Sequence, residues 1–231
     1  MKRRKISIIS LILIISGIIC ICFPYISNYF YKKDVENDKD EFIEKISEDY
    51  NSNLLDLLYQ KLKTENEKLY ETNQGNLTDP FSYEQVSVDL SEYGIEDNVI
   101  GYIYIPKMDV TLPIRLGANT ENMKLGAVHL TNTSYPIGGE NTNSVIAAHR
   151  GWSTAEMFRN IDKLEIGDQI IIQNYWNTLT YEVYDIEIIS PSDIDKIKIE
   201  DGEEILTLLT CHPYRINTQR YMVKASLVSC T

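Results

Sequence analysis

The run LTLLTCHPYRINTQRYMV, residues 206–223, decides how this chain folds and poses its main functional question. Its first six residues are leucine, threonine and a terminal Cys211. A turn-rich connection follows, and strand-like texture resumes at Arg220, nine positions after the cysteine. Two such runs joined by so short a connection can pair side by side, which returns the chain to Cys211 and sets Arg220 beside it. An isolated cysteine on a strand is ordinarily a small buried hydrophobe, so the rest of the sequence must say whether this one does chemistry.

Working outward, the texture from Val99 onward is β-type throughout: VIGYIYIP, VTLPIRLG, SVIAAH, QIIIQNYW, LTYEVYDIEIIS, EILTLLTC and RYMVKASLVS, separated by Gly, Pro, Asn and Asp. Seven or eight short strands in this span point to a sandwich or a closed barrel. One helical insert is expected over residues 153–161, after the His-Arg-Gly stretch. Upstream, residues 76–97 hold a Pro-Phe pair and no clear periodicity in their first half, the pattern of a long functional loop or linker. Residues 32–75 are charged, lack proline, and repeat apolar residues at helical spacing (Phe42, Ile43, Ile46, Tyr50, Leu54, Leu57, Leu58, Leu62, Leu69) up to Gly75. They predict one long or two shorter amphipathic helices that serve as a spacer.

The N-terminus reads MKRRK and then runs uncharged from Ile6 to Tyr31. An apolar stretch of that length matches a bilayer, exceeds the core of a signal peptide, and is followed by no small-residue cleavage pattern. The positive-inside rule sets Lys2–Lys5 in the cytoplasm and the rest of the chain outside. With 231 residues and 43% hydrophobic content, the remainder suffices for one main domain. The formal charge is −12, which argues against a nucleic-acid partner because phosphate binding needs a basic face. Of four cysteines, Cys20 and Cys22 lie in the apolar segment and Cys230 adjoins the C-terminus, which leaves Cys211 as the odd one out.

A cysteine hydrolase or transferase needs a thiolate, a proton shuttle, and a cation or donor set for the oxyanion. The three histidines are His129, His149 and His212. His149 ends an apolar run at a strand-to-loop edge and is favoured over His129. His212 adjoins Cys211 and would point to the opposite face of a strand. Arg220 is the cation best placed, with Arg150 and Arg215 as competitors. Metal binding finds no support: outside the apolar segment there is no Cys-x-x-Cys, no His-x-x-x-His and no spaced Asp loop. Nothing calls for a cofactor.

These residues resemble the sortase family of membrane-anchored cysteine transpeptidases, and within it the class C, pilus-assembling members. TLLTC (207–211) is similar to the family's Thr-Leu-x-Thr-Cys signature, Arg220 stands where its essential arginine would, and His149 within GGENTNSVIAAHRG matches its histidine. VIGYIYIPKMDVTLPIRLG, GAVHLTNTSYPIGGENTNS and MFRNIDKLEIGD look like the same family, so the likeness covers about residues 98–227. LTDPF (77–81) resembles the lid of pilin sortases.

The resemblance implies a mainly β fold, a closed eight-stranded sortase-type β-barrel with short helices. It also implies five segments: a cytoplasmic basic tail (1–5), a transmembrane anchor (6–31), a helical spacer (32–75), a loop carrying the lid (76–97) and the catalytic barrel (98–231). Catalysis would fall to His149, Cys211 and Arg220. The lid would be Asp79, Pro80 and Phe81, with Asp79 pairing with Arg220 and Phe81 covering the thiol. Thr207 and Thr210 are candidate substrate-binding residues.

The implied reaction cleaves a Leu-Pro-x-Thr-Gly-like sorting signal between Thr and Gly and transfers the acyl group to an amine. The partners are pilin or surface proteins, and the acceptor is a pilin lysine or, in a housekeeping sortase, a cell-wall precursor. The enzyme would sit in a Gram-positive cell membrane with its catalytic domain outside. Class C members often carry a second transmembrane helix after the domain, and this sequence stops at Thr231, directly after its last strand-like run. The alternative from another class is a tethered β-domain that binds partners, with Cys211 merely buried.

Overall fold

The computed structural model describes residues 2–47, 52–152 and 154–231, with side chains from residue 9 onward. Tyr50 of the expected spacer helix and Ser153 of the expected insert lie outside the described residues. Three α-helices and eight strands make up the described chain: α1 (Lys2–Ser47), α2 (Ser52–Glu71), β1 (Val99–Ile105), β2 (Val110–Leu116), α3 (Thr120–Leu125), β3 (Ala127–His129), β4 (Thr142–Ala147), β5 (Gln169–Asn174), β6 (Thr178–Ile189), β7 (Glu204–His212) and β8 (Gln219–Cys230). The strands close into a barrel in the order β1-β2-β3-β4-β7-β8-β6-β5. This is the closed eight-stranded barrel expected from the resemblance.

Every strand has a strand neighbour on both sides, although the three-residue β3 pairs only with the ends of β2 and β4. Antiparallel pairing of β1 with β5 seals the ring, while β2 with β3 and β4 with β7 run parallel. Strand alternation sorts the side chains. On β7, Leu206 and Leu208 enter the main core with Ile103, Ile146 and Val223, whereas Leu209 and Cys211 face a second cluster with Val145, Ala147 and Met222. Both faces of β7 are therefore buried, which explains why its sequence is an unbroken apolar and threonine run rather than an alternating one.

Helix α1 continues from the apolar segment through Ser47 and packs its second half on the barrel, where Phe42 meets Tyr102 and Tyr175 at ring-centroid distances of 5.2 and 4.6 Å. Its residues Ile9–Ser47 hold a candidate membrane span of mean hydropathy 2.6. Helix α2 buries Leu58 and Leu62 against the same body.

The helical insert expected over 153–161 is corrected. The described part, 154–161, is a turn that leads into a 3₁₀ segment, Ile161–Lys163. Ala155, Met157, Phe158 and Ile161 are all buried, so core contacts on several sides shape this stretch rather than one amphipathic face. The short helix α3 was not anticipated. Asn119 caps it by accepting from the Glu121 and Asn122 amides at 3.1 and 2.9 Å.

Candidate active site

The alternation that divides the core also gathers the candidate residues. Cys211 shares the outward face of β7 with Leu209, and its partner across the antiparallel ladder is Arg220, on the face of β8 that holds Met222. On β4, Val145 and Ala147 share that same outer cluster, so the next residue in phase is His149. The β4 path is held against β7 as far as this point: Ala148 N–H donates to Leu209 O at 3.2 Å, and the Thr210 hydroxyl donates to Ala148 O at 2.7 Å. The chain then leaves the sheet beside Cys211. His149 and Cys211 both line one cleft of about 580 Å³.

The two signature threonines are fully buried and join strands. Thr207 donates to Asn143 Oδ1 at 2.8 Å and Thr210 to Ala148 O, and neither lines the cleft.

The Asp-Pro-Phe segment lies over these residues. Asp79 accepts from Arg220 Nε at 2.8 Å and from Nη2 at 2.6 Å, a bidentate pair, while the third guanidinium nitrogen donates to the carbonyls of Asn217 and Gln219. Pro80 opens a single 3₁₀ turn, Pro80–Ser82. That turn drives Phe81 into the outer cluster beside Cys211, with the Arg220 guanidinium 4.9 Å from the centre of its ring.

Both ends of the segment are stitched down. Gln74 donates to Asn132 O and accepts from the Ile199 amide, and Asn132 donates to Asn76 O. On the far side Gln85 Oε1 accepts the amides of Ala118 and Thr131. Gly117 is required there because its φ is +96° and a Cβ would collide with the Val86 carbonyl.

Burial under this cover sets the electrostatics. Cys211 is 6% exposed, and desolvation pushes its thiol up to about 11, with Arg220 opposing and the Asp79 charge assisting. Desolvation likewise pulls the His149 imidazole below its ordinary range. Both effects favour the neutral forms, a thiol and an uncharged imidazole lining one cleft, over an ion pair.

The other histidines are occupied elsewhere. His129 is buried, its Nε2 bonded to Ser134 O at 3.0 Å and near the Thr133 hydroxyl, and burial pulls its pKa down to about 4. His212 lies across the strand from the site. Its Nδ1 accepts from Arg150 Nη1 at 2.6 Å, and its ring leans on Tyr221. Arg150 also pairs with Asp162 at 3.3 Å and covers the Tyr221 ring at 5.4 Å. It thereby ties the residue after His149 to the residue after Cys211. Arg215 stays in the β7–β8 connection, 5.2 Å from the Tyr214 ring.

Three participants escaped sequence reasoning. Trp152 stacks on His149 at 4.6 Å and 20°, Tyr83 flanks the same ring at 6.0 Å, and the Arg150–His212 bond braces the two loops. Tyr83 stood two residues beyond a quoted aromatic, and Trp152 three beyond the candidate histidine. Only the tertiary path turns those spacings into contact.

With this geometry in hand, comparisons place the chain. The sequence model of the sortase domain matches residues 103–228, more than half of the chain. A sortase C1 of pilus island 1 of Group B Streptococcus superposes with a TM-score of 0.74 at 31% identity, covering 84% of this chain and 92% of that one. A Streptococcus pneumoniae sortase C does so with a TM-score of 0.69 at 32% identity, covering 84% and 97%. Sortase D of Bacillus subtilis is 32% identical over 114 residues, 49% of this chain, and the chain spans about half the length of that relative, 54%. A barrel of eight strands, a cysteine faced by an arginine, and these likenesses together mean that the chain belongs to the sortase family of cysteine transpeptidases, on the side of its class C members.

Proposed function

We propose that this chain is a membrane-anchored transpeptidase that cleaves a Leu-Pro-x-Thr-Gly-like sorting signal between Thr and Gly and joins the acyl part to a lysine amine of a pilin subunit. The observation that carries the reading is the Asp79–Arg220 pair over Cys211, because a carboxylate held bidentately by the arginine stands where a substrate's carbonyl would be received. The cell-wall amine of a housekeeping enzyme is the competing acceptor, and the lid weighs against it.

The assigned roles follow from the chemistry of the groups. The Cys211 thiol gives its proton to His149 as Sγ attacks the threonine carbonyl carbon. Arg220, released from Asp79, donates to the carbonyl oxygen as it gains negative charge. The C–N bond to glycine breaks, His149 passes the proton to the departing amine, and a thioester remains on Cys211. The acceptor amine then attacks that thioester, an amide forms, and the thiol is regenerated. Thr207 and Thr210 spend their hydroxyls on β4, so substrate contact from them would use the main chain.

In the same reading residues 1–5 are a cytoplasmic tail, 6–31 the membrane anchor, 32–75 a spacer, 76–97 the loop with its lid of Asp79, Pro80 and Phe81, and 98–231 the external catalytic barrel. The first part of that spacer, residues 32–47, continues the helix of the anchor along α1. The test incubates the full chain in detergent with such a peptide and with separate amine acceptors, read by intact-protein and product mass spectrometry. A thioacyl adduct on Cys211 that a lysine-bearing pilin peptide resolves is the expected result. No adduct with the lid disabled by Asp79→Ala and Phe81→Ala would end the proposal.

A further inference from the structure

Helix α1 brings the membrane to the cleft. Counted from Lys5, 20 residues at 1.5 Å each rise about 30 Å, the thickness of the hydrocarbon layer, and reach Tyr25. Exposed Tyr25, Tyr29 and Phe30 follow at that level, the kind of side chain that marks an interface. Pro24, at the same level, lines the cleft that holds Cys211 and His149. One turn on, Asn28 Oδ1 accepts the Glu156 amide at 2.9 Å; further along, the Tyr31 hydroxyl donates to Leu125 O at 3.0 Å and Lys32 pairs with Asp109 at 2.7 Å. The helix thus meets the barrel where it leaves the bilayer, with no slack between them.

The cleft itself differs from the rest of the molecule. On a chain of net charge −12, its described lining holds no carboxylate and carries Arg159 and Arg215 beside Arg150, whose own charge is met by Asp162. Trp152 and Tyr214, which line it, are 36% and 42% exposed, and Ile216, between the lining residues Arg215 and Asn217, is 64% exposed. Aromatic rings and an aliphatic tip beside arginines suit the boundary between acyl chains and anionic headgroups.

We propose that the mouth of the cleft docks, through Trp152, Tyr214, Arg215 and Ile216, on the anionic headgroups of the outer leaflet, so that the catalytic groove opens at the membrane surface. This rests on the anchored reading given above.

The chain has two tryptophans, and Trp176→Phe leaves Trp152 as the sole reporter. The full chain is reconstituted in vesicles of phosphatidylglycerol and phosphatidylcholine that carry a headgroup spin label. The expected result is quenching of Trp152 by about twofold, as for a residue at headgroup depth, diminished by Arg215→Glu with Ile216→Asp. A Tyr25→Trp reporter, in a chain with Trp152→Phe and Trp176→Phe, tests the anchor separately. If Tyr25→Trp is quenched and Trp152 is not, the docking is wrong. If neither is quenched, the anchored reading fails and takes the docking with it. Equal quenching of Trp176, read in a Trp152→Phe chain, would mean general contact with lipid and would also overturn the proposal.

Discussion

Arg220 is the cross-strand partner of Cys211, yet it gives two of its donors to Asp79 from a segment 141 residues earlier in the chain. The group best placed to stabilise negative charge beside the thiol is thereby engaged by an internal carboxylate. Most of what the closed site does follows from that engagement.

Opening the lid should activate the thiol. With the thiol raised to about 11 by burial, thiolate is scarce below that pH and grows as pH rises toward it. Asp79→Ala with Phe81→Ala readmits water, removes a charge that opposes thiolate, and leaves Arg220 free to favour it. The thiolate fraction of Cys211 at pH 7.5 should rise about tenfold for each unit by which the thiol pKa falls, the alkylation rate should rise with it by a smaller factor, and the midpoint of its pH profile should move down. Equal rates in the two proteins would count against a covering role.

Removing the guanidinium should cost more than removing its partner. Arg220→Ala is expected to lower kcat/KM for transfer by about 10²–10³, the usual loss for one oxyanion donor. Arg220→Lys should recover little, because an ammonium cannot hold a carboxylate or a developing oxyanion through a planar fork. Peptide cleavage assays on both variants check this, and near wild-type turnover in either would remove Arg220 from the chemistry.

The bond from Arg150 to His212 predicts an acid-sensitive brace. His212 must be neutral to accept at Nδ1, and its pKa is lowered by desolvation first and by the Arg150 charge second, with Asp162 opposing. Tyr221 is the remaining titratable group against it. The brace is therefore intact at neutral pH and lost as pH falls below the ordinary histidine range. Arg150→Met should reduce kcat several-fold, since it loosens the loop that carries His149. His212→Asn supplies another acceptor and should retain activity while flattening the acid limb of the profile. An unchanged limb in that variant would sink the idea.

His129 should make the fold acid-sensitive. Its pKa is pulled down to about 4 by burial, so the folded state holds it neutral while the unfolded chain binds the proton first. The associated stability is complete above about pH 6.5 and is lost as pH falls toward 4, to the extent of about 3 kcal/mol. His129→Gln should show a smaller loss of unfolding free energy between pH 7.5 and 4.5 in denaturant titrations. Identical losses would assign the acid sensitivity to other groups.

Periodicity and residue type determined the barrel's parts. The β-type texture of VIGYIYI and VTLPIRL and the buried character of EILTLLTC are local properties, and each of these runs became a strand between turn formers. The nine-residue offset from Cys211 to Arg220 also reported its own outcome, because a short connection between two strands limits how they can pair.

What the sequence could not contain is contact between segments with no local relation. The 153–161 stretch looked helical, but burial on several sides settled its described part, 154–161, as a turn. Trp152 and Tyr83 gained their places beside His149 because β4 and β7 run parallel and the lid crosses their ends. The pKa directions at Cys211 and His149 likewise come from desolvation, which depends on what covers a group rather than on its neighbours in the chain. Residue identity determined which groups were able to react; the closed barrel and its strapped lid decided which of them meet, and in which protonation state they wait.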